Sequence, residues 1–126
     1  MPNALLLATG TDIGRVCDAL IRAHNGTVTH FEQHRASHLP LGIPDREYCV
    51  FGYTIAYEIK APTDKLTRAQ YAMLEQKKLG GQVASCGGLE ELSHLVPALR
   101  RSLKDGQSLG WLFTALWAAR GFRPQR

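Results

Sequence analysis

The stretch IAYEIKAP, residues 55–62, decides how the rest of this chain is read. With the two residues before it, Tyr53, Ile55, Tyr57 and Ile59 fall on one face. Thr54, Ala56, Glu58 and Lys60 fall on the other, because side chains alternate along a β-strand. The apolar face asks for a core. Glu58 and Lys60 lie two residues apart on the opposite face, roughly 7 Å apart at Cα by strand rise. Pro62 then ends the run. A Glu–Lys pair at this spacing is ordinarily a solvated surface pair, so its meaning depends on what surrounds it.

Immediately upstream, residues 46–51 form a second strand-like run, hinged to the first at Gly52; the two read as a hairpin. Asp45 opens the first strand and Glu58 lies near the end of the second. A bent or staggered hairpin brings both carboxylates to one sheet edge. Two carboxylates and a backbone carbonyl, here that of Ile59, make a hard oxygen site suited to Mg²⁺ or Mn²⁺. A neighbouring ammonium, Lys60, can orient a phosphate or the attacking water and offset developing negative charge. Together these are the requirements of metal-assisted phosphodiester hydrolysis.

Further out, Thr11 or Asp12 caps a helix over 11–24, with Ile13, Val16, Cys17, Leu20 and Ile21 on one face and Asn25-Gly26 at its end. Residues 27–34 suit a strand, and 37–44 a loop with two prolines and a glycine. Thr67-Arg68-Ala69-Gln70 is a capping box, and Leu66 with Tyr71 a hydrophobic staple, for a second helix closed by Gly80-Gly81. Pro62-Thr63-Asp64 reads as a turn. Residues 82–86 form a short strand, Gly87-Gly88 a turn, and Leu89 starts a helix that Pro97 is expected to kink or divide. Leu109, Leu112, Phe113, Leu116 and Trp117 follow amphipathic-helix spacing. The predicted order is αβββαβα plus a C-terminal helix, an α/β fold with helices flanking a mixed sheet.

The whole chain of 126 residues suits one domain, with a core over about 11–96 and a helical extension over about 97–126. At 44% hydrophobic and 21% charged, it is neither disordered nor fibrous. The net charge of +4 leans toward anionic partners. Cys17, Cys49 and Cys86 include no CxxC pair, and an odd count fits free thiols in a reducing compartment. With no signal-like start and no membrane-length apolar run, the expected location is the cytoplasm.

In combination, the motifs resemble one family. G-I-P-D over 42–45, the interval from Asp45 to Glu58, and EIKAPTDKLTRAQ over 58–70 resemble the VRR-NUC branch (virus-type replication–repair nucleases) of the PD-(D/E)xK nuclease superfamily. The likeness covers about residues 11–96. It implies a restriction-endonuclease-like core in a bacterial or phage-encoded protein. It makes Asp45 and Glu58 metal ligands, with the Ile59 carbonyl beside them, Lys60 the catalytic lysine, and Gln70 the glutamine that completes the site. Asp12 stands where many relatives carry a glutamate, as a metal ligand or only as a helix cap. The resemblance also implies DNA as substrate, branched, flapped or Holliday-junction DNA in particular, 5′-phosphate products and no small-molecule cofactor. A symmetric junction is most simply cut by a homodimer. Arg35, Lys65 and Arg68 are candidate backbone contacts, as are His30, His34 and His38. The rival readings are a nucleic-acid-binding module that keeps the fold but does not cut, and a structural subunit of a larger assembly.

Overall fold

The computed structural model describes residues 10–31 and 41–105. Its elements are α1 (Gly10–Ala23), β1 (Thr27–His30), β2 (Arg46–Val50), β3 (Tyr53–Ile59), α2 (Arg68–Leu79), β4 (Val83–Gly87) and α3 (Leu89–Asp105). The order matches the αβββαβα reading. The proposed C-terminal helix, Arg35, His34 and His38 lie outside the described residues.

The four strands form one mixed sheet in the order β1-β2-β3-β4. The first two pairings are antiparallel and β3 pairs with β4 in parallel. The β3–α2–β4 crossover supplies the parallel pair. β3 and β4 are interior in character, and VASCG of β4 is buried throughout. One sheet face carries Tyr48, Val50, Ile55, Tyr57 and Ile59 against Ile13, Cys17 and Ile21 of α1 and Leu92, Leu95, Val96 and Leu99 of α3. The other face carries Ala56, Ala84 and Cys86 against Leu66, Tyr71 and Leu74 of the α2 layer. Both faces of β3 are therefore covered, and Glu58 and Lys60, at 6% and 8% exposure, are buried rather than solvated.

Local sequence explains the element ends. The β2–β3 turn has only two residues, Phe51 (φ 53°) and Gly52 (φ 81°), both left-handed as a type I′ hairpin requires. Phe51 tolerates that backbone while its ring packs on the core and edge-on to His24, 5.6 Å between centroids. Helix α1 closes in a Schellman motif. Asn25 is left-handed, Gly26 N–H donates to the Ile21 carbonyl (2.9 Å) and Asn25 N–H to that of Arg22 (3.0 Å). Helix α2 repeats the device with left-handed Gly81: Gln82 N–H donates to the Lys77 carbonyl and Gly81 N–H to that of Lys78. Its capping box is complete, with Gln70 N–H donating to Thr67 Oγ1 (3.1 Å) and Thr67 N–H to Gln70 Oε1 (2.9 Å). Residues 61–64 turn as expected, with the Asp64 carboxylate accepting from Ala61 N–H.

Two expectations are corrected. Helix α3 runs unbroken through Pro97, so the proline does not divide it. The proline sits on the exposed side, as does Ser93, whose carbonyl loses its i+4 partner there. Leu92, Leu95, Val96, Ala98 and Leu99 on either side of it are buried and hold both halves on the sheet. The first strand ends at His30, with Phe31 outside it, and residues 32–34 of the expected run lie outside the described residues. Among the described residues, no helix is long and apolar enough to cross a membrane.

Candidate active site

The site grows out of the β2–β3 register. Arg46 pairs with Tyr57. One step further along that register, Asp45 faces Glu58. The Asp45 N–H donates to Glu58 Oε1 (3.3 Å), and the Ile59 N–H donates to Asp45 Oδ1 (2.9 Å). No bend or stagger is needed: the interval between the two acids and the two-residue turn put them side by side. In extended backbone a residue's N–H and C=O leave on the same edge, so the Ile59 carbonyl also faces the Asp45 side.

The G-I-P-D segment holds Asp45 in place. Gly42 is left-handed (φ 81°), and a Cβ there would meet the Ala69 carbonyl at 2.4 Å. Only glycine lets this segment approach the first turn of α2 so closely. Pro44 is fully buried behind it. That contact brings Gln70 over the carboxylates, where its Nε2 donates to Glu58 Oε2 (3.3 Å) while its Oε1 completes the capping box. One amide thus bonds both the helix cap and Glu58, and each partner dictates which end of the amide faces it.

The surroundings of the pair disfavour two negative charges. Burial pushes the Glu58 carboxyl up to about 8, the Asp45 charge adds to this, and Lys60 only partly opposes it. Burial raises Asp45 as well, against the Ile59 N–H bond and the charges of Arg46 and Lys60. Two like charges side by side, one buried and one half-buried, resist ionising together. Among the described residues, no hydrogen bond or ion pair ties down the Lys60 ammonium. An open cleft of about 780 Å³ lies over Asp45, Glu58, Thr67 and Gln70, walled by Phe31 and Ile43.

The other nominated residues fall variously. Asp12 is half-buried in the first turn of α1 and lines neither this cleft nor the neighbouring one described below. Among the described residues, no three His, Cys, Asp or Glu side chains gather as a metal-binding group. The structure therefore brings together Asp45 and Glu58, not a triad with Asp12. Lys65 and Arg68 are exposed on either side of Thr67, at the cleft's α2 rim.

Sequence reading missed a second cluster one strand over. Asp18 of α1, only 3% exposed, accepts from Arg46 Nε (2.9 Å) and the Tyr48 hydroxyl (2.7 Å), and its other oxygen lies 2.8 Å from His30 Nε2. Burial alone would raise its carboxyl. The bonds from Arg46, Tyr48 and His30 and the Arg46 charge outweigh that and leave it below the usual range. Gly14 admits the Arg46 guanidinium: a Cβ there would lie 2.5 Å from Nη2. The available signal was an acid beside Cys17, on the same helix as the core residues Ile13 and Ile21, with Arg46 and Tyr48 two apart on one strand face. Compared with protein-family models, with curated proteins and with solved structures, the chain finds no match in any of the three.

Proposed function

We propose that this chain is a metal-dependent DNA endonuclease. The observation that carries the reading is the pairing of half-buried Asp45 with buried Glu58 across one hairpin, with the Lys60 charge acting on both and Gln70 bonded to Glu58. The donor set fits a hard divalent cation. It is all oxygen, and both carboxyls are held toward protonation until a positive charge joins them. Asp45, Glu58 and the Ile59 carbonyl would hold Mg²⁺ or Mn²⁺. When bound, such an ion supplies a Lewis acid for the phosphate and a water of lowered pKa.

The chain's own residues do the rest. Gln70 fixes the orientation of Glu58 through Oε2 and is itself fixed by Thr67, so the carboxylate is preorganised. The Lys60 ammonium offsets negative charge that develops at the phosphate and helps position the water for in-line attack. The open cleft admits a backbone that a closed pocket would exclude. The resemblance favours branched, flapped or Holliday-junction DNA and 5′-phosphate products, a symmetric junction favours a homodimer, and the odd count of free cysteines favours a cytoplasmic setting.

The test is cleavage of a flapped DNA duplex with Mg²⁺, Mn²⁺ or EDTA. Wild type should cut only with metal. Glu58→Gln and Lys60→Ala should each lose about a hundredfold or more in rate, the scale expected for groups that act on the reacting phosphate or its metal. Equal nicking by all three would exclude this site, and binding without turnover in any metal would favour a non-cutting nucleic-acid module.

A further inference from the structure

Beside the carboxylate site lies a second cleft of about 490 Å³ that shares Asp45 and Ile59 with it and is otherwise lined by residues the chemistry above does not use. Helix α1 forms one wall with Thr11, Arg15, Asp18 and Arg22. These fall at i, i+4, i+7 and i+11, a single stripe along the helix. Asp45, Arg46 and Phe31 line this cleft and the first one too, so the two meet at Asp45.

The charge of the second cleft is positive for a specific reason. Its one acid on the α1 stripe, Asp18, is buried and already neutralised by Arg46, with Tyr48 and His30 filling its remaining positions. Arg15 and Arg22 are exposed, and among the described residues neither makes an ion pair. With Arg46 paired to Asp18, what remains in the cleft is Arg15 and Arg22 against Asp45, a net positive charge. Seven residues apart on one helix face, they stand about 10 Å apart. One DNA strand advances about 3.4 Å per phosphate along the duplex axis, so that spacing covers about three phosphates. On the far side of Asp45, Lys65 and Arg68 flank the α2 rim of the first cleft.

We infer that the α1 cleft is a backbone-binding track, in which Arg15 and Arg22 hold phosphates of the same DNA strand, away from the scissile bond at Asp45 and Glu58. This rests on the nuclease reading. It assigns α1 the strand on one side of the cut and the Lys65–Arg68 rim the strand on the other. The contacts are to phosphate, so they set register and affinity and not base preference.

The test is binding of the full chain to a fluorescein-labelled flapped DNA duplex in EDTA, by anisotropy across a KCl titration. Arg15→Gln/Arg22→Gln should weaken binding about tenfold and lower the slope of log K against log salt by about 1.4 to 1.8, two phosphates' worth. Arg15→Lys/Arg22→Lys should restore most of the slope, which a purely structural role would not. Arg101→Gln, an exposed change near the far end of α3, should leave both unchanged. Because Arg15 and Arg22 are exposed, the variants should melt like wild type. An unchanged slope in the double Gln variant, while wild type still cuts with metal, overturns this inference and leaves the nuclease reading standing. Loss of cutting in Glu58→Gln with unaltered binding would separate chemistry from the track as proposed. A wild type that neither binds nor cuts DNA removes both.

Discussion

Asp45 and Glu58 stand opposite each other across one hairpin, thirteen residues apart in the chain, with the Asp45 N–H donating to Glu58 Oε1 at 3.3 Å. The pairing follows from a two-residue turn and an unbroken antiparallel register. It sets a half-buried acid against a buried one where no third acid, histidine or cysteine among the described residues joins them. This arrangement makes specific demands on its surroundings, and each can be tested.

Gly42 and Gly52 share the same φ, 81°, but differ in what surrounds them. A Cβ at Gly52 meets nothing within 4 Å, whereas one at Gly42 meets the Ala69 carbonyl at 2.4 Å. Gly52→Ala should therefore cost about 1–2 kcal/mol, the left-handed backbone term alone. Gly42→Ala should cost that plus about 1–3 kcal/mol of overpacking, and should slow cleavage because the segment carrying Asp45 must shift. Chemical denaturation of both variants, with cleavage rates, checks the difference.

Thr67 and Gln70 each supply one half of the same capping box, so Thr67→Ala and Gln70→Ala should lose similar stability, about 1 kcal/mol each. Only Gln70 also touches Glu58. Gln70→Ala should consequently slow cleavage about tenfold or more, while Thr67→Ala leaves the rate within a few-fold. Melting temperatures and single-turnover rates measured side by side separate cap from site.

Stability should respond to pH and metal together. The folded Glu58 carboxyl is raised to about 8 from an ordinary value of 4.5. Its contribution is therefore fully present below about 4.5 and is lost as pH rises toward and through 8, because the folded state then holds a proton the unfolded chain has released. Asp18 has the opposite sign. Its folded value is depressed, so its contribution is present above the ordinary carboxylate range and lost as pH falls into acid. Without metal, the melting temperature should decline from pH 5 to 8. Added Mg²⁺ or Mn²⁺ should raise it most at the alkaline end, where binding displaces fewer protons. Glu58→Gln should flatten the decline and remove the metal response.

Arg46 is clamped to Asp18 with its guanidinium against Gly14. Gly14→Ala should gain about 1 kcal/mol of helix propensity. It must also displace Nη2 and weaken a charged hydrogen bond of about 1.5–3 kcal/mol. The net expectation is a loss of about 1 kcal/mol, visible in denaturant unfolding. A gain would mean that Arg46 finds an equal partner elsewhere.

Much of this architecture was legible in the sequence because its determinants are local. The capping box, both helix-ending pairs and the hairpin are each written within a few consecutive residues, and the alternation of 53–60 correctly separates Ile55, Tyr57 and Ile59 from Ala56, Glu58 and Lys60. What alternation leaves open is whether the second face is also covered. That depends on α2 docking over Ala56 and Ala84, a contact between distant segments. The Asp18 cluster escaped for the same reason: its bonds span 12, 28 and 30 residues and join a helix to two strands. Pro97 does not divide α3, because the local rule is outweighed by the buried leucines on either side of it.

The most direct measurement is an anomalous-scattering map from crystals of the full chain soaked in Mn²⁺, collected for wild type and Glu58→Gln. The account predicts one strong wild-type peak within coordination distance of Asp45, Glu58 and the Ile59 carbonyl, and its disappearance in the variant. A Mn²⁺ peak elsewhere with none at this pair, or an undiminished peak in Glu58→Gln, would contradict it.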